Sequence, residues 1–326
     1  MEKDHVLLVA VGGIGFRHFQ ALLNCRSDFE LHVVDVSEAA IERAKTYEKE
    51  QKNRKLIHYY TAISEIEPSL YFRLAIIATS SLVRREVFEE LVKGHPVETV
   101  LFEKVLFPKV RDYAEVGAIL KEKHIAAYVN CARRVQSIYR KLREDLGGAR
   151  LIQAQIRGGN WGLACNSIHM IDLFAYLSGA DTQFVTCNSA LLENRIYDSK
   201  RRGYIEFYGK LAGRIGENTT YLIECNHSEA PNLIELFTDT DYYCIDEAGG
   251  QITVQSLNSG ELTEHHFQMS YVSRTTSEIA DGLLRGEPVE LTRFEESARL
   301  HIPLLKEFLN KRNEIQGKED EICPVT

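Results

Sequence analysis

Over its first 130 residues the chain alternates short apolar runs with stretches in which apolar residues recur at helical spacing. Residues 5–10 form a continuous apolar run behind a charged start, the pattern of a strand buried on both faces. Residues 13–24 then place Ile14, Phe19, Leu22 and Leu23 on one face of a predicted helix. The alternation continues with predicted strands at 31–34, 56–60, 74–79, 99–102 and 125–129, and predicted helices at 37–55, 82–93 and 110–123. Strands separated by helices in this order predict a doubly wound parallel sheet.

The texture changes near Arg150, where polar and apolar residues begin to alternate one by one. Strands are predicted at 151–157, 183–192, 204–208, 219–225, 233–237 and 251–254, interrupted by a helix at 167–177. Helices return at 277–284 and 294–309, and the helix predicted at 137–146 packs on either half. The fold class expected is α/β: an N-terminal doubly wound parallel Rossmann sheet followed by an α+β domain with a large, open, mostly antiparallel sheet. The boundary is placed after Val129, giving residues 1–129 and 130–326. The polar tail, residues 311–326, is expected to be loosely held.

Composition narrows the function. With 326 residues and a net charge of −8 spread along the chain, there is room for two cores and no basic stripe of the kind a nucleic acid requires. The charged Met1-Glu2-Lys3-Asp4 leaves no room for a signal peptide, and no apolar run is long enough to span a bilayer, so a cytoplasmic location is expected. Seven scattered cysteines, none in a C-x-x-C pair, read as reduced thiols, and His265-His266 has no companions at ligand spacing. No metal site is expected from these patterns.

The turn between the first strand and helix carries the clearest chemistry. Val9-Ala10-Val11-Gly12-Gly13-Ile14-Gly15 is an A-x-G-x-x-G variant of the dinucleotide fingerprint, with Ala10 in place of the first glycine. Small residues there let backbone N–H groups approach a pyrophosphate at a helix N-terminus. Asp35 ends the second strand where an acid would accept the ribose hydroxyls. A carboxylate there repels a 2′-phosphate, which favours NAD over NADP unless Arg43 folds back; as a bland alternative, Asp35 merely caps the next helix.

Two further segments bear reactive groups. Leu101-Phe102-Glu103-Lys104 ends a predicted parallel strand, at the edge where ligands of doubly wound folds sit. On the predicted helix after Gly158-Gly159, Asn166 and His169 fall on one side, with Asp172 a turn further on to hold the imidazole; the alternative is a core histidine. With the 10–15 turn and Ala78-Thr79, these segments resemble the Gfo/Idh/MocA family of NAD(P)-dependent oxidoreductases over nearly the whole chain. The resemblance implies that Lys104, from a Glu-Lys-Pro motif in which Val105 replaces proline, touches the reacting sugar hydroxyl. Thr79, Ser80 (where proline is common) and Glu103 would border the cofactor. The family's D-x-x-x-H-x-x-D pattern places Cys165 where an acid is usual, which puts acid/base duty from that position in doubt. Arg84 stands where the family often has histidine and is given no role.

The function expected is hydride transfer between a sugar, sugar-derivative or polyol carbinol and NAD. Lys104 is the candidate acid/base, His169 shares the proton relay, and Asp172 orients it. Trp161, Asn130, Arg133 and Asn166 are candidate substrate contacts, with a surface ion pair the rival reading for Arg133. The basic loop Arg195, Lys200, Arg201, Arg202 suits either a nucleotide-sugar diphosphate or a solvated turn. The stretch 159–166 and the terminal Cys-Pro-Val-Thr resemble members associated with bacterial surface-sugar biosynthesis, and the family implies a homodimer or homotetramer. A non-catalytic NAD-binding regulator and an NAD-assisted glycosidase are the alternatives.

Overall fold

The computed structural model describes residues 3–51 and 55–326. In chain order the elements are β1 (Asp4–Val9), α1 (Gly13–Leu23), β2 (Phe29–Val34), α2 (Glu38–Glu50), β3 (Ile57–Tyr60), β4 (Phe72–Ile77), α3 (Ser81–Gly94), β5 (Val97–Phe102), α4 (Val110–Glu122) and β6 (Ala126–Val129). They continue with α5 (Ser137–Leu146), β7 (Leu151–Gly159), α6 (Leu163–Ser178), β8 (Val185–Leu192), β9 (Tyr197–Asp198), β10 (Ile205–Glu206), β11 (Gly209–Ile215), β12 (Thr219–Asn226) and β13 (Leu233–Thr238). The last are β14 (Asp241–Asp246), β15 (Gln251–Ser256), β16 (Leu262–His266), α7 (Val272–Leu284), β17 (Thr292–Arg293) and α8 (Phe294–Gln316). The helix expected at 37–55 ends at Glu50, and 52–54 lie outside the described residues.

The chain divides into two compact units. The first comprises residues 1–107, 114–132 and 270–294, and the second residues 108–113, 133–269 and 295–326. Residues 270–294, which a single boundary after Val129 assigns to the second half, therefore count with the first unit.

In the first unit the sheet order is β17-β6-β5-β4-β1-β2-β3, parallel except for the short β17 on β6. Val6, Leu7 and Leu8 of β1 and Leu74, Ala75, Ile76 and Ile77 of β4 are fully buried. That is why these strands read as unbroken apolar runs: each is covered on both faces. Burying each such valine or leucine contributes roughly 1.5–3 kcal/mol. The order steps outward in both directions from β1 and β4, and the loops after these two strands flank the crevice that binds ligands in such sheets.

The second unit holds an eight-stranded sheet ordered β16-β15-β14-β13-β7-β12-β11-β8, antiparallel except where β12 runs parallel to β7. Buried Ala154 and Ile156 of β7 alternate with Gln155 and the exposed Arg157. Gln155, Arg157 and Tyr242 all bond the buried Glu235 carboxylate, at 2.9, 2.7 and 2.6 Å. The strand expected at 204–208 shrinks to β10, which among the described residues pairs with β9 alone. The length that joins the large sheet is β11, immediately downstream.

The C-terminal tail is a correction. Helix α8 runs to Gln316, and the segment beyond it is pinned rather than loose. Cys323 N donates to Pro108 O at 2.9 Å, Ile205 N to Pro324 O at 2.9 Å, and Arg201 Nη1 to Thr326 Oγ1 at 2.6 Å. Cys323 and Val325 are buried, which supplies the apolar anchor that a reading of the tail's polar residues overlooks.

Candidate functional site

In the first unit the carboxyl ends of β2, β1, β4, β5 and β6 lie side by side. They bring Asp35, the 10–15 loop, Thr79 with Ser80, Glu103 with Lys104, and Asn130 to one edge of the sheet. Ala10 adopts φ +72°, the left-handed conformation that glycine takes without cost, so alanine at the first fingerprint position is carried at an expense of roughly 1–2 kcal/mol. Gly15 is required by the protein itself: a Cβ there would sit 1.9 Å from Ala10 O.

Gly12 and Gly13 are different. A Cβ on either would meet nothing within 4 Å, and neither has a positive φ, so neither packing nor a left-handed turn calls for glycine. Gly12 is the N-cap of α1 and supplies no side-chain cap. The leading N–H groups of a helix have no partner within it, so this end presents donors and a positive dipole over open space. That cradle fits a dinucleotide pyrophosphate.

Asp35 anchors the same loop: its Oδ2 accepts from Val11 N at 2.7 Å and its Oδ1 from Ser37 N at 2.8 Å. The cap of α2 is Ser37, whose Oγ accepts from Ala40 N. Arg43 does fold back. Its Nη2 donates to Val11 O at 2.6 Å and Gly12 O at 3.1 Å, and its guanidinium lies 4.4 Å from the Phe16 ring centre.

Beneath Lys104 lies a buried polar group that the sequence did not reveal. Glu103 Oε1 is 2.8 Å from His18 Nε2 and accepts from Asn130 Nδ2 at 2.6 Å, and the other ring nitrogen of His18 is 3.0 Å from Thr276 Oγ1. Burial works against ionisation of Glu103, but the His18 and Asn130 hydrogen bonds and the His18 and Lys104 charges outweigh it and hold the carboxyl below its ordinary range. Arg84, fully buried in α3, donates to the carbonyls of Thr79, Val105 and Leu106 and so ties the loops after β4 and β5 together. The Lys104–Val105 peptide bond is cis. Thr79 Oγ1 and Asn130 Oδ1 are buried without a hydrogen-bond partner among the described residues, as polar atoms facing a ligand would be.

In the second unit α6 begins at Leu163, four residues earlier than its pattern predicts, because a distant carboxylate caps it: Glu206 accepts from Ala164 N. On this largely buried helix Cys165, Asn166 and His169 form a half-exposed stripe, one turn apart. Asn166 Nδ2 donates to Trp161 O at 2.7 Å, and Trp161 Nε1 to Glu224 O at 2.9 Å, so these two residues brace the entry to the helix.

Asp172, expected to hold His169, is fully buried and accepts from Arg134 Nε at 2.7 Å; Arg134 Nη2 reaches Glu296 at 2.8 Å. Burial opposes the Arg134 charge, yet Asp172 and Glu296 raise its pKa. Replacing Arg134 with methionine takes the guanidinium from the buried Asp172 carboxylate and is expected to cost about 3 kcal/mol, read from the urea midpoint. Adding Asp172→Asn should restore part of that loss. An unchanged midpoint in the single variant would remove the pair from the account. Arg133 forms the ion pair that rivalled its substrate role: its Nε and Nη2 donate to Glu247 at 3.0 and 2.9 Å, and Tyr139 Oη joins at 2.7 Å. Of the basic loop, Arg201 is spent on Thr326, and Arg195, Lys200 and Arg202 are exposed.

No family model and no curated protein sequence matches the chain. Solved structures do match along its whole length. An oxidoreductase from Agrobacterium radiobacter, in complex with NAD+, L-tartaric acid and magnesium, superposes with a TM-score of 0.73 at 13% identity, covering 97% of this chain and 99% of that one. UDP-N-acetylglucosamine 3-dehydrogenase from Acidithiobacillus ferrooxidans gives 0.69 at 15% identity over 94% and 96%. Biliverdin reductase from Synechocystis, with biliverdin and NADP+, gives 0.67 at 15% identity over 93% and 96%. At these identities the likeness establishes the shared two-sheet α/β fold.

Proposed function

We propose that this chain is a nicotinamide-dinucleotide-dependent oxidoreductase of the Gfo/Idh/MocA type, acting on a carbinol of a sugar or sugar derivative. The observation that carries this reading is the pair Gly12 and Gly13, glycines that no neighbouring atom and no left-handed φ demands, at an uncapped helix start beside Asp35. The full-length likeness to oxidoreductases solved with NAD+ and NADP+ supports it.

In this reading the N–H groups from Gly12 to Gly15 receive the pyrophosphate and Asp35 accepts the adenosine ribose hydroxyls, favouring NAD. The Arg43 guanidinium, reaching from α2 to the same loop, would temper that preference. Thr79, Ser80, Glu103 and Asn130 border the nicotinamide end. A nicotinamide bound there supplies a hydride acceptor or donor. The protein's part is to align the carbinol and move its proton. Lys104 takes or returns the hydroxyl proton. Glu103, fixed by His18 and Asn130, sets the backbone from which Lys104 projects.

The test is a panel of sugars, acidic sugars, polyols and nucleotide sugars offered with NAD or NADP, with the absorbance of reduced nicotinamide as readout. Turnover with at least one carbinol, faster with NAD, is expected. Tight cofactor binding without turnover across the panel would contradict the reading.

A further inference from the structure

On the first unit, away from the edge that carries the 10–15 loop, the strand register gathers a second set of reactive side chains. His5 of β1 stands opposite Glu30 of β2, and His32 of β2 opposite His58 of β3. Side chains two apart on a strand share a face, so Glu30 and His32 lie on one side, and His58 and Tyr60 on one side. The ligand atoms of His5, Glu30 and His32 all come within 4.8 Å of one another. His5 Nδ1 and His32 Nε2 are only 3.0 Å apart, and Glu30 Oε2 is 3.0 Å from His58 Nε2.

We propose that His5, Glu30 and His32 form a binding site for a borderline transition-metal dication of the Zn2+ type, with His58 bracing the Glu30 carboxylate. Bonds of about 2.0–2.1 Å in a tetrahedral shell set ligand nitrogens roughly 3.3 Å apart, so the two imidazoles need to separate by only a few tenths of an ångström. Two imidazoles and one carboxylate are a donor set such ions take, with a further position left for water. His32 Nδ1 lies 3.2 Å from Tyr60 Oη; with N–H donated there, Nε2 keeps its lone pair for the ion, the outer contact that usually fixes a ligating histidine.

The His32 ring is fixed by stacking on His58 at 4.7 Å and by the edge contact of Phe72 at 5.4 Å, whereas His5, Glu30 and His58 remain partly open to solvent. An ion there would tie β1 to β2 and stabilise the unit. His5 and Glu30 each sit at the second residue of their strands and His32 in mid-strand, away from the carboxyl ends, so the site does not depend on the proposed redox reaction.

Untagged full-length protein, stripped with chelator, is titrated with Co2+ and then with Zn2+. The expected result is one equivalent of Co2+ with the visible absorption of a four- or five-coordinate ion, displaced by Zn2+, together with a higher Tm. His5→Ala and Glu30→Gln should each weaken binding by about 100-fold or more, and His58→Gln by about 10-fold. Each variant's melting curve in chelator should match the wild type, separating lost ligation from lost folding. His265→Ala/His266→Ala, altering the exposed pair on β16, should bind as wild type does. Absence of a stoichiometric spectrum in the wild type overturns the proposal. So does undiminished binding by His5→Ala and Glu30→Gln, or loss of binding in the His265/His266 variant.

Discussion

Gly15→Ala should leave the first unit unable to fold at growth temperature, or lower its Tm by roughly 10 °C. The added Cβ would lie 1.9 Å from Ala10 O and 2.8 Å from Ala10 C, both backbone atoms, with Ala78 Cβ at 3.3 Å behind. No side-chain rotation relieves such a clash. Ala10 is itself fixed, since its N–H donates to Val34 O at 2.8 Å. Either α1 must lift from the sheet or the turn must open, at an expected 3 kcal/mol or more. Gly12→Ala, three residues earlier, meets no atom within 4 Å and should destabilise the fold far less than Gly15→Ala does. Thermal melts of the two variants side by side check both statements. Equal destabilisation would mean that Gly12 has a structural reason and would weaken the argument for a cofactor.

Lys104→Ala should lower kcat by about 1,000-fold, the scale of a lost general acid or base, with cofactor affinity unchanged. Lys104 follows the buried Glu103, whose Oε2 accepts from Lys104 N at 3.3 Å, so the backbone there is held whatever side chain it carries. Lys104→Arg retains charge and reach, but a guanidinium does not give up its proton. That variant should be nearly as impaired, which separates proton transfer from electrostatic attraction. Steady-state kinetics with whichever carbinol the panel identifies provide the readout. Retention of most turnover in Lys104→Ala would remove the lysine from the chemistry.

The parallel half of the fold was legible because its strands are covered on both faces. Val6 to Val9 and Leu74 to Ile77 have no polar residue to obscure the signal, and the helices between them repeat at regular length. The open sheet was less so. Strand β16, Leu-Thr-Glu-His-His, is exposed at every position, so no alternation marks it. Strand β11 holds glycines at 209 and 213; at 213 a Cβ would strike the Tyr221 ring, and pairing rather than pattern makes the segment a strand.

The candidate site divides in the same way. Gly12, Gly15, Asp35 and the Glu103-Lys104 step sit at strand ends, which a local pattern marks. The partners that hold them do not: His18 lies 85 residues from Glu103, and Arg134 lies 162 from Glu296. Asp172 illustrates the consequence. Helical spacing offered it to His169, and nothing local marks the Arg134 guanidinium, 38 residues away, that it bonds. Arg43 was legible only as a possibility, since only the folded loop turns the Val11 and Gly12 carbonyls toward it.

Seating of a nicotinamide dinucleotide on the open glycines at the start of α1 is measured by titrating NADH and NADPH into the wild type and Gly12→Ala, following nicotinamide fluorescence. Saturable binding by the wild type, tighter for NADH, and at least about tenfold weaker binding by a Gly12→Ala protein that keeps a cooperative melting transition are the expected results. Binding of neither nucleotide by the wild type, or equal binding by the two proteins, would contradict the account.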